Sequence, residues 1–531
     1  MQAHIVGGGF GGLAAAALLI RNAEMSGADI TIYEADALLG GGFFLGGSAA
    51  SGYNLPGSVF DKEFRCTFDL LKSIPSARNP AISVTEDFFD FNDKEPYQDK
   101  GHIFDRNGQI VHGPRFGLSL RDGLCLARVV LTPEALLDGR RIEEFFSKAF
   151  FATEFWLLWS TIMGSLPQHS VIEFRRYMDR FLYLFGDLSD MTGVMRTPLN
   201  QHQNFIEPLV KWLTPQRVNF VTGAFVKDIG FAPTPGTITV NRLDYERGGA
   251  AASVALAPED IVLVTTGSQA ADMSSGSMTA APRPQPTGRS WALWQRLAQG
   301  RTNFGKPDTF FGPPRIPDSL WVTFTVTDTG SDFVDQMAAL TGGQAGRGGL
   351  VTLKDSGWVL SLSVFHQPEI IGQPSGTSIW WGYGLYPDRD GDFVKKRMDQ
   401  CTGAEILTET LRQLHFDKQF DAIMASSICV PCYLPYVNNV WLPWSRGDMP
   451  PPVPEGATNL GLIGQYIDMP SEIAFTIECS VRSAWEAIRT LLKRGPAPPP
   501  VYQGQFDPKA LWGALKVFSV RKLSVSVCWS R

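Results

Sequence analysis

Apolar and polar positions change period several times along the chain, and each change marks an element. "AHIVGG" is a short apolar run that stops at glycines, "GGLAAAALLIRNAEM" is apolar on a helical repeat, and "ITIYEAD" returns to extended alternation. Together they predict strand, tight turn, helix and second strand, one βαβ opening. Asn107 and Gly108 in "FDRNGQIVH" sit between two extended runs and predict a hairpin. From Thr132 to about Phe185, aromatic residues recur at helical spacing, and Thr132 with Pro133 suits a helix start. "EDIVLVTTGS" reads as a buried strand returning to the first sheet, and Ala270 to Arg289 as a linker. "SLWVTFTVTD", "GWVLSLSVF" and "TSIWWGYGLY" predict a second sheet. "NLGLIGQYIDMPSEIAFTIECSVRSAWEAIRTLL" reads as strand, loop and long helix, broken by "GPAPPPVY".

The fold class expected is α/β: a discontinuous Rossmann-type domain, a mixed α+β substrate domain, a helical insertion and a C-terminal helical tail. The boundaries fall at 1–125, 201–290 and 451–492 for the three parts of the nucleotide domain. The helical insertion takes 126–200, the substrate domain 291–450 and the amphipathic tail 493–531. With 531 residues, 44% of them hydrophobic, the chain can bury a core of that size.

Charge narrows the partners. A formal net charge of -6 gives no footprint for nucleic acid. Seven scattered cysteines do not form a secreted disulfide framework, so a reducing, cytoplasmic setting is expected. Cys429 and Cys432 form a C-x-x-C without a second pair or a histidine at zinc spacing, so they read as structural, and no metal site is expected. No apolar stretch is long enough to span a bilayer. The tail "DPKALWGALKVFSVRKL" places Leu511, Trp512, Leu515, Val517 and Phe518 among basic residues, a pattern suited to packing on its own domain or lying on an anionic membrane.

The first turn carries the clearest chemistry. Gly7, Gly9 and Gly12 form G-x-G-x-x-G between strand and helix, which lets a pyrophosphate approach the helix N-terminus. Glu34, at the end of the second strand, suits an adenosine ribose. A second glycine cluster, including Gly41 and Gly42, and "NLGLIGQY" with Gly464 near the last long helix favour FAD over NAD. Ser471 lies in the loop before that helix.

"GGLAAAALLIRNAEMSGADITIYEAD", "RCTFDLLKSIPS", "LTPEALLDGRRIEEFFSKAFFATEFWLLW", "QHSVIEFRRYMDRF", "RTPLNQHQNFIEPLVKWL", "CVPCYLPY" and "NLGLIGQYIDMPSEIAFTIECSVRSAWEAI" run in one order along the chain. In these stretches the sequence resembles the FAD-dependent oleate hydratase, or myosin-cross-reactive antigen, family. The resemblance implies addition of water across a cis double bond of a long-chain unsaturated fatty acid, with FAD organising the site and no net redox change. It places the proton-donating tyrosine at Tyr177, on a helix begun by a Ser170–Glu173 capping box. Arg176 and Arg180 on that helix read as solvent-facing.

The family's R-G-G-R-E loop is missing. Counting back from Cys66 puts Val59 at the water-activating glutamate and Ser58 at the preceding arginine. Asp61 and Glu63 lie within a turn and are the substitutes on offer, although both also suit an ordinary acidic helix start. Gln201, in the polar loop "RTPLNQHQNF" that also holds His202, and the pair Asn438 and Asn439 are the expected substrate contacts. Monomer and homodimer both remain open. Three rival readings stand: a fatty-acid double-bond isomerase on the same scaffold, a flavin oxidoreductase and a lipid-binding protein without turnover.

Overall fold

A computed structural model of the chain describes all residues except 58, 98–101, 112–113, 188–192 and 519–531. The opening motif folds as its pattern demands. Ala3–Val6 pairs in parallel with Ile30–Glu34 on one side and Ile261–Thr265 on the other. Leu460–Ile463 and Asn219–Thr222 complete a five-stranded parallel sheet built from four distant parts of the chain. Helix Phe10–Ala23 crosses this sheet and packs on the last long helix, Ile477–Leu492. Ala14 to Ala17 are fully buried there, so small side chains let the two helices approach closely over the strands.

A second, seven-stranded mixed sheet runs from Ser274–Ser275 through Ser427–Leu434, Trp321–Asp328, Ser378–Gly384, Leu360–Val364 and Val351–Leu353 to His102–Phe104. The three predicted runs form Trp321–Asp328, Ser378–Gly384 and Leu360–Val364, and the C-x-x-C stretch adds Ser427–Leu434, a strand not expected from the sequence. Cys429 and Cys432 lie buried on Ser427–Leu434 as free thiols. A three-stranded antiparallel sheet, Ala224–Phe231, Val240–Arg247 and Ala250–Ala255, flanks the nucleotide domain. Asn107 and Gly108 turn the chain back from His102–Phe104, with Gly108 at φ +70°. Among the described residues no helix is long and apolar enough to cross a membrane.

The segment expected to be helical from Thr132 to about Phe185 is helical in separate pieces. Helix Leu120–Leu131 precedes Thr132 and stops there, with the Thr132 hydroxyl donating to the Arg128 carbonyl at 2.7 Å. Pro133 explains the stop, since it disfavours helical backbone at the residue before it. Short 3₁₀ turns then lead to helices Glu154–Met163 and Val171–Arg180. The aromatic residues of these pieces form a packed layer, with Phe146, Phe150, Trp156, Trp159 and Phe174 in ring contact. The tail helix Pro508–Phe518 packs on the turn Leu182–Asp187 and leaves Leu511 and Trp512 outward; the residues beyond Phe518 lie outside the described part.

Candidate active site

Three of the five glycines at the first turn are dictated by the protein itself. A side chain at Gly7 would meet Thr265 Oγ1 at 2.1 Å, and one at Gly12 would meet the Gly7 carbonyl at 1.9 Å. One at Gly8 would meet Leu39 at 2.5 Å. Gly9 is different: a Cβ there meets nothing nearer than the Gly41 Cα at 3.7 Å. The chain's own packing therefore does not demand a glycine there, at the start of helix Phe10–Ala23. No side chain caps that helix end. Its first amides are thus left for an anion.

Gly40 donates its amide to the Gly8 carbonyl at 3.0 Å and seats the Gly41–Gly42 turn, with Gly41 at φ +56°, against this slot. The Glu34 carboxylate is fixed by the amides of Gly8 at 2.7 Å and Asp36 at 2.8 Å, which leaves lone pairs on both oxygens for ribose hydroxyls. Across the sheet, Gly464 adopts φ +113° with only Thr266 near its open side, at 3.9 Å. Ser471 stands exposed at φ +63° in the loop leading to Ile477–Leu492. The uncapped helix end after Gly9, the Glu34 carboxylate and the turn at Gly464 fit a dinucleotide.

Tyr177 reaches the same loop from the other side. Its ring is buried, 4.3 Å from the Trp441 ring, and its hydroxyl has no hydrogen-bond partner. Burial, then the charge of Glu173, then the nearby Phe475 amide and other groups set its acidity, with the net effect well above the ordinary phenol range. Glu173 lies one turn earlier and shares this face. Ser170 Oγ accepts from the Glu173 amide at 3.4 Å, but the returning half of the expected capping box is absent because the Glu173 side chain turns inward. It is wholly buried, and neither carboxylate oxygen completes a hydrogen bond of normal geometry, although the Trp444 indole and the Ala474 amide face it. Burial, partly offset by Arg176, pushes its carboxyl up to about 7. Such a group is a proton donor near neutrality. The sequence offered it only as a cap, because an inward turn of that side chain leaves no trace in the residue pattern.

Arg176 and Arg180 do not face solvent. Arg176 is 5% exposed and forks onto Glu134 at 2.9 and 3.0 Å. Arg180 is 1% exposed and bridges Asp61 and Glu472, both at 3.5 Å, while also donating to the Glu63 carbonyl at 2.7 Å. Glu472 in turn accepts from Arg482 at 3.1 Å, and Arg482 donates to Glu478 at 2.9 Å. Glu478 accepts the amides of Cys66 and Thr67, each at 2.9 Å, at the start of helix Arg65–Leu71. A buried chain of five alternating charges therefore ties the Asp61 segment, the Tyr177 helix and the last βα unit together. The interior forces both arginines inward because these carboxylates lie there already.

Asp61 is spoken for by this chain, with Arg180 and the Tyr183 hydroxyl bound to its carboxylate. Glu63 pairs with Arg65 at 2.8 Å. The carboxylates that act most strongly on the phenol are those of Glu173 and Glu472. Val59 is 46% exposed, and Ser58 lies outside the described residues.

Asn438 donates to the Gly164 carbonyl at 2.6 Å and keeps a buried carbonyl oxygen without a partner. Asn439 spends its amide on the Phe310 carbonyl at 2.9 Å and its oxygen on the Tyr466 hydroxyl at 2.7 Å. Gln201 is buried with Oε1 unpartnered. His202 holds the Phe43 carbonyl at 2.9 Å, next to the glycine turn at Gly40. Three orphaned polar atoms, on Tyr177, Asn438 and Gln201, thus come from segments far apart in sequence. Among the described residues no cluster of His, Cys, Asp and Glu could hold a metal ion.

In shape the chain is similar to cyclohexylamine oxidase from Brevibacterium oxydans IH-35A, with a TM-score of 0.53 at 14% identity over 93% of this chain and 98% of that one. It is also similar to putrescine oxidase, with a TM-score of 0.54 at 11% identity over 93% and 99%. Those identities speak for the fold, a Rossmann-like α/β architecture. In sequence it is 31% identical over 540 residues to the oleate hydratase of Streptococcus pyogenes serotype M49 (strain NZ131), covering 98% of this chain and 90% of that protein. It is 30% identical over 527 residues to the linoleate hydratase of Lactiplantibacillus plantarum, covering 91% and 92%. The MCRA family model matches residues 1–488, and the chain belongs to the MCRA family.

Proposed function

We propose that this protein is an FAD-dependent fatty-acid hydratase, a hydro-lyase that adds water across a cis double bond of a long-chain unsaturated fatty acid of the oleate or linoleate type. The observation that carries the reading is the Tyr177 hydroxyl, buried beside Trp441 without a partner. A buried phenol ordinarily finds an acceptor, because leaving one unmade costs its full desolvation. One kept free is available to a substrate. Membership of a family that includes oleate and linoleate hydratases supports the same chemistry.

FAD, when bound, would supply an oriented, charged surface to the site with no net oxidation. The chain's own residues carry the rest. Gly9, Gly41, Gly42 and Gly464 leave room for the cofactor, Glu34 holds its ribose, and Ser471 lies in the loop that would border its far end. Tyr177, held neutral by burial, transfers its hydroxyl proton to one alkene carbon while water bonds to the other. Glu173 then returns a proton to the phenolate, and the proton shed by the added water restores Glu173. Atoms balance as alkene plus water giving alcohol. Asn438 and Gln201 offer their free oxygens to hold the water or the chain, while Asn439 supports Tyr466.

Val59 supplies no base, so the isomerase reading, in which a proton is added and another removed without capture of water, is the specific rival. Incubation with oleate in heavy-oxygen water followed by mass spectrometry decides between them. A labelled hydroxy acid is the expected product. A shifted alkene without label, or consumption of oxygen, would replace the reading.

A further inference from the structure

The turn at Gly164 and Ser165, which closes helix Glu154–Met163, gathers polar atoms that the rest of the interior leaves unanswered. Asn438 is 1% exposed, and its Nδ2 donates to the Gly164 carbonyl at 2.6 Å. That bond fixes which way the amide faces, so the atom left without a partner is the acceptor, Oδ1. Trp321 is 7% exposed, with a buried indole N–H that meets no acceptor in the protein. Ser165 is wholly buried, and its hydroxyl is equally unpartnered. A donor, an acceptor and a group able to act as either therefore belong to one turn.

Their approach is built in. Gly164 lies at φ +71°, and a Cβ added there would fall 2.8 Å from Asn438 Oδ1 and 2.5 Å from Trp321 Cζ2, a ring carbon two bonds from the indole nitrogen. Only a glycine lets both groups close over that backbone. The indole is held in place, because its ring stacks on Tyr383 at 4.3 Å and 7° and the Tyr383 hydroxyl is bound to the Thr161 carbonyl. Each buried polar atom without a partner costs its desolvation. Buried water joins such groups through about two to four hydrogen bonds, and this set suits one molecule. Its oxygen accepts from Trp321 Nε1 and its hydrogens go to Asn438 Oδ1 and Ser165 Oγ, which leaves one lone pair free. Every partner is uncharged, so the set favours water over an ion.

The phenol stands beside the same segment. The Trp441 amide donates to the Asn438 carbonyl at 3.0 Å, and the Trp441 ring lies 4.3 Å from that of Tyr177. We infer that Trp321, Asn438 and Ser165 hold the water that adds to the double bond, so that position takes over where Val59 supplies no base. This rests on the hydratase reading. Proton transfer from Tyr177 leaves the second alkene carbon short of electrons, and a neutral water with a free lone pair suffices if it is already in line. Its oxygen bonds to that carbon, and the proton it sheds restores Glu173 as above. Where no water is in place, the protonated chain loses a proton instead and returns to an alkene.

The partition between those two fates is the test. Trp321→Phe keeps the ring stack and Ser165→Ala removes one hydroxyl, so neither breaks a side-chain hydrogen bond of the protein. Flavin-loaded wild type and variants turn over oleate in deuterium oxide, and mass spectrometry early in the reaction counts hydroxy acid against alkene that has gained deuterium. In each variant the ratio of hydroxy acid to deuterated alkene should fall roughly 3- to 10-fold, the weight of one hydrogen bond. Total deuterium uptake, which reports Tyr177, should change less. A ratio that stays level overturns the inference: with both products reduced the residues are structural, and with both unchanged the water lies elsewhere. A wild type that forms no hydroxy acid overturns the hydratase reading and this inference with it, an outcome distinct from active variants with a level ratio.

Discussion

The Tyr177 and Trp441 rings lie 4.3 Å apart at an interplanar angle of 44°, so the indole fixes the phenol ring while its hydroxyl stays unbonded. Ring packing and hydroxyl chemistry are thereby separable. Tyr177→Phe keeps the ring contact and removes a buried polar atom that had no partner. Its thermal midpoint should stay level or rise, because no hydrogen bond is lost. Turnover of oleate should fall by about 10²- to 10⁴-fold, the usual contribution of a positioned acid. Assay by product mass spectrometry beside a melting curve checks both. A variant that melts earlier and keeps its rate would remove Tyr177 from the mechanism.

Arg180 is the shared cation of Asp61 and Glu472, of which Glu472 has a second cation in Arg482 at 3.1 Å. Arg180→Met leaves the buried Asp61 without a cation and Glu472 with Arg482 alone, and should cost about 3–5 kcal/mol, the usual penalty for breaking a buried pair. Much of that should return in Arg180→Met combined with Asp61→Asn, which removes the stranded charge. Differential scanning calorimetry of the single and double variants measures the difference. A double variant no more stable than Arg180→Met would show that the arginine acts through packing alone.

The nucleotide domain was legible because its information is local. Gly7, Gly9, Gly12 and Glu34 lie within one strand–helix–strand unit, and the return strands are continuous apolar runs. The apolar stripe carrying Tyr177 was equally readable from helical periodicity. What the residue pattern concealed depends on long-range partners. Arg176 and Arg180 look solvent-bound on a helical wheel, and only Glu134, Asp61 and Glu472, brought in from elsewhere, make them interior. Glu173 carries the spacing of a capping box, yet its side chain turns away from the cap into the core. Thr132 and Pro133 read as a helix start, whereas they close helix Leu120–Leu131, whose apolar positions carry no aromatic residue to mark it.

Glu173 predicts a pH dependence of known sign. Its carboxyl is pushed up to about 7, so it is neutral below that pH and ionised above it. An ionised Glu173 raises the phenol further and opposes the phenolate that must form. Turnover should therefore decline as pH rises through about 7. Glu173→Gln, a neutral isostere, should lose that limb and fall to a lower, flatter rate, since it cannot return a proton. A pH–rate profile of kcat/KM for both proteins checks this, and an unchanged limb in the variant would exclude Glu173 as its source.

His169 governs acid stability instead. It is fully buried, with Nδ1 accepting from the Leu166 amide at 3.0 Å and Nε2 donating to the Asp318 carbonyl at 2.9 Å. Burial lowers its pKa to about 4, below the unfolded value of 6.5. The folded state therefore binds fewer protons between those values. Its contribution is complete above pH 6.5 and is lost as pH falls toward 4, by about 3 kcal/mol in all at 1.36 kcal/mol per unit. Thermal midpoints followed from pH 7.5 to 4.5 should fall along that window. In His169→Gln, which starts less stable, the corresponding slope should be shallower, and a slope equal to the wild type would assign acid lability to other groups.

Gly9 separates cofactor binding from folding. Because an added Cβ meets only the Gly41 Cα at 3.7 Å, Gly9→Ala should fold with unchanged secondary structure and a thermal midpoint close to that of the cofactor-free wild type. The same methyl group projects into the slot where the pyrophosphate must approach the first amides of helix Phe10–Ala23. Purified Gly9→Ala should therefore be colourless under conditions in which the wild type takes up FAD and absorbs in the visible. Gly12→Ala is the contrasting case: its Cβ falls 1.9 Å from the Gly7 carbonyl, so it should lose fold and flavin together. Absorbance spectra and far-ultraviolet circular dichroism on the pair distinguish a glycine kept for its ligand from one kept for its chain. A yellow Gly9→Ala would move the pyrophosphate away from this helix end.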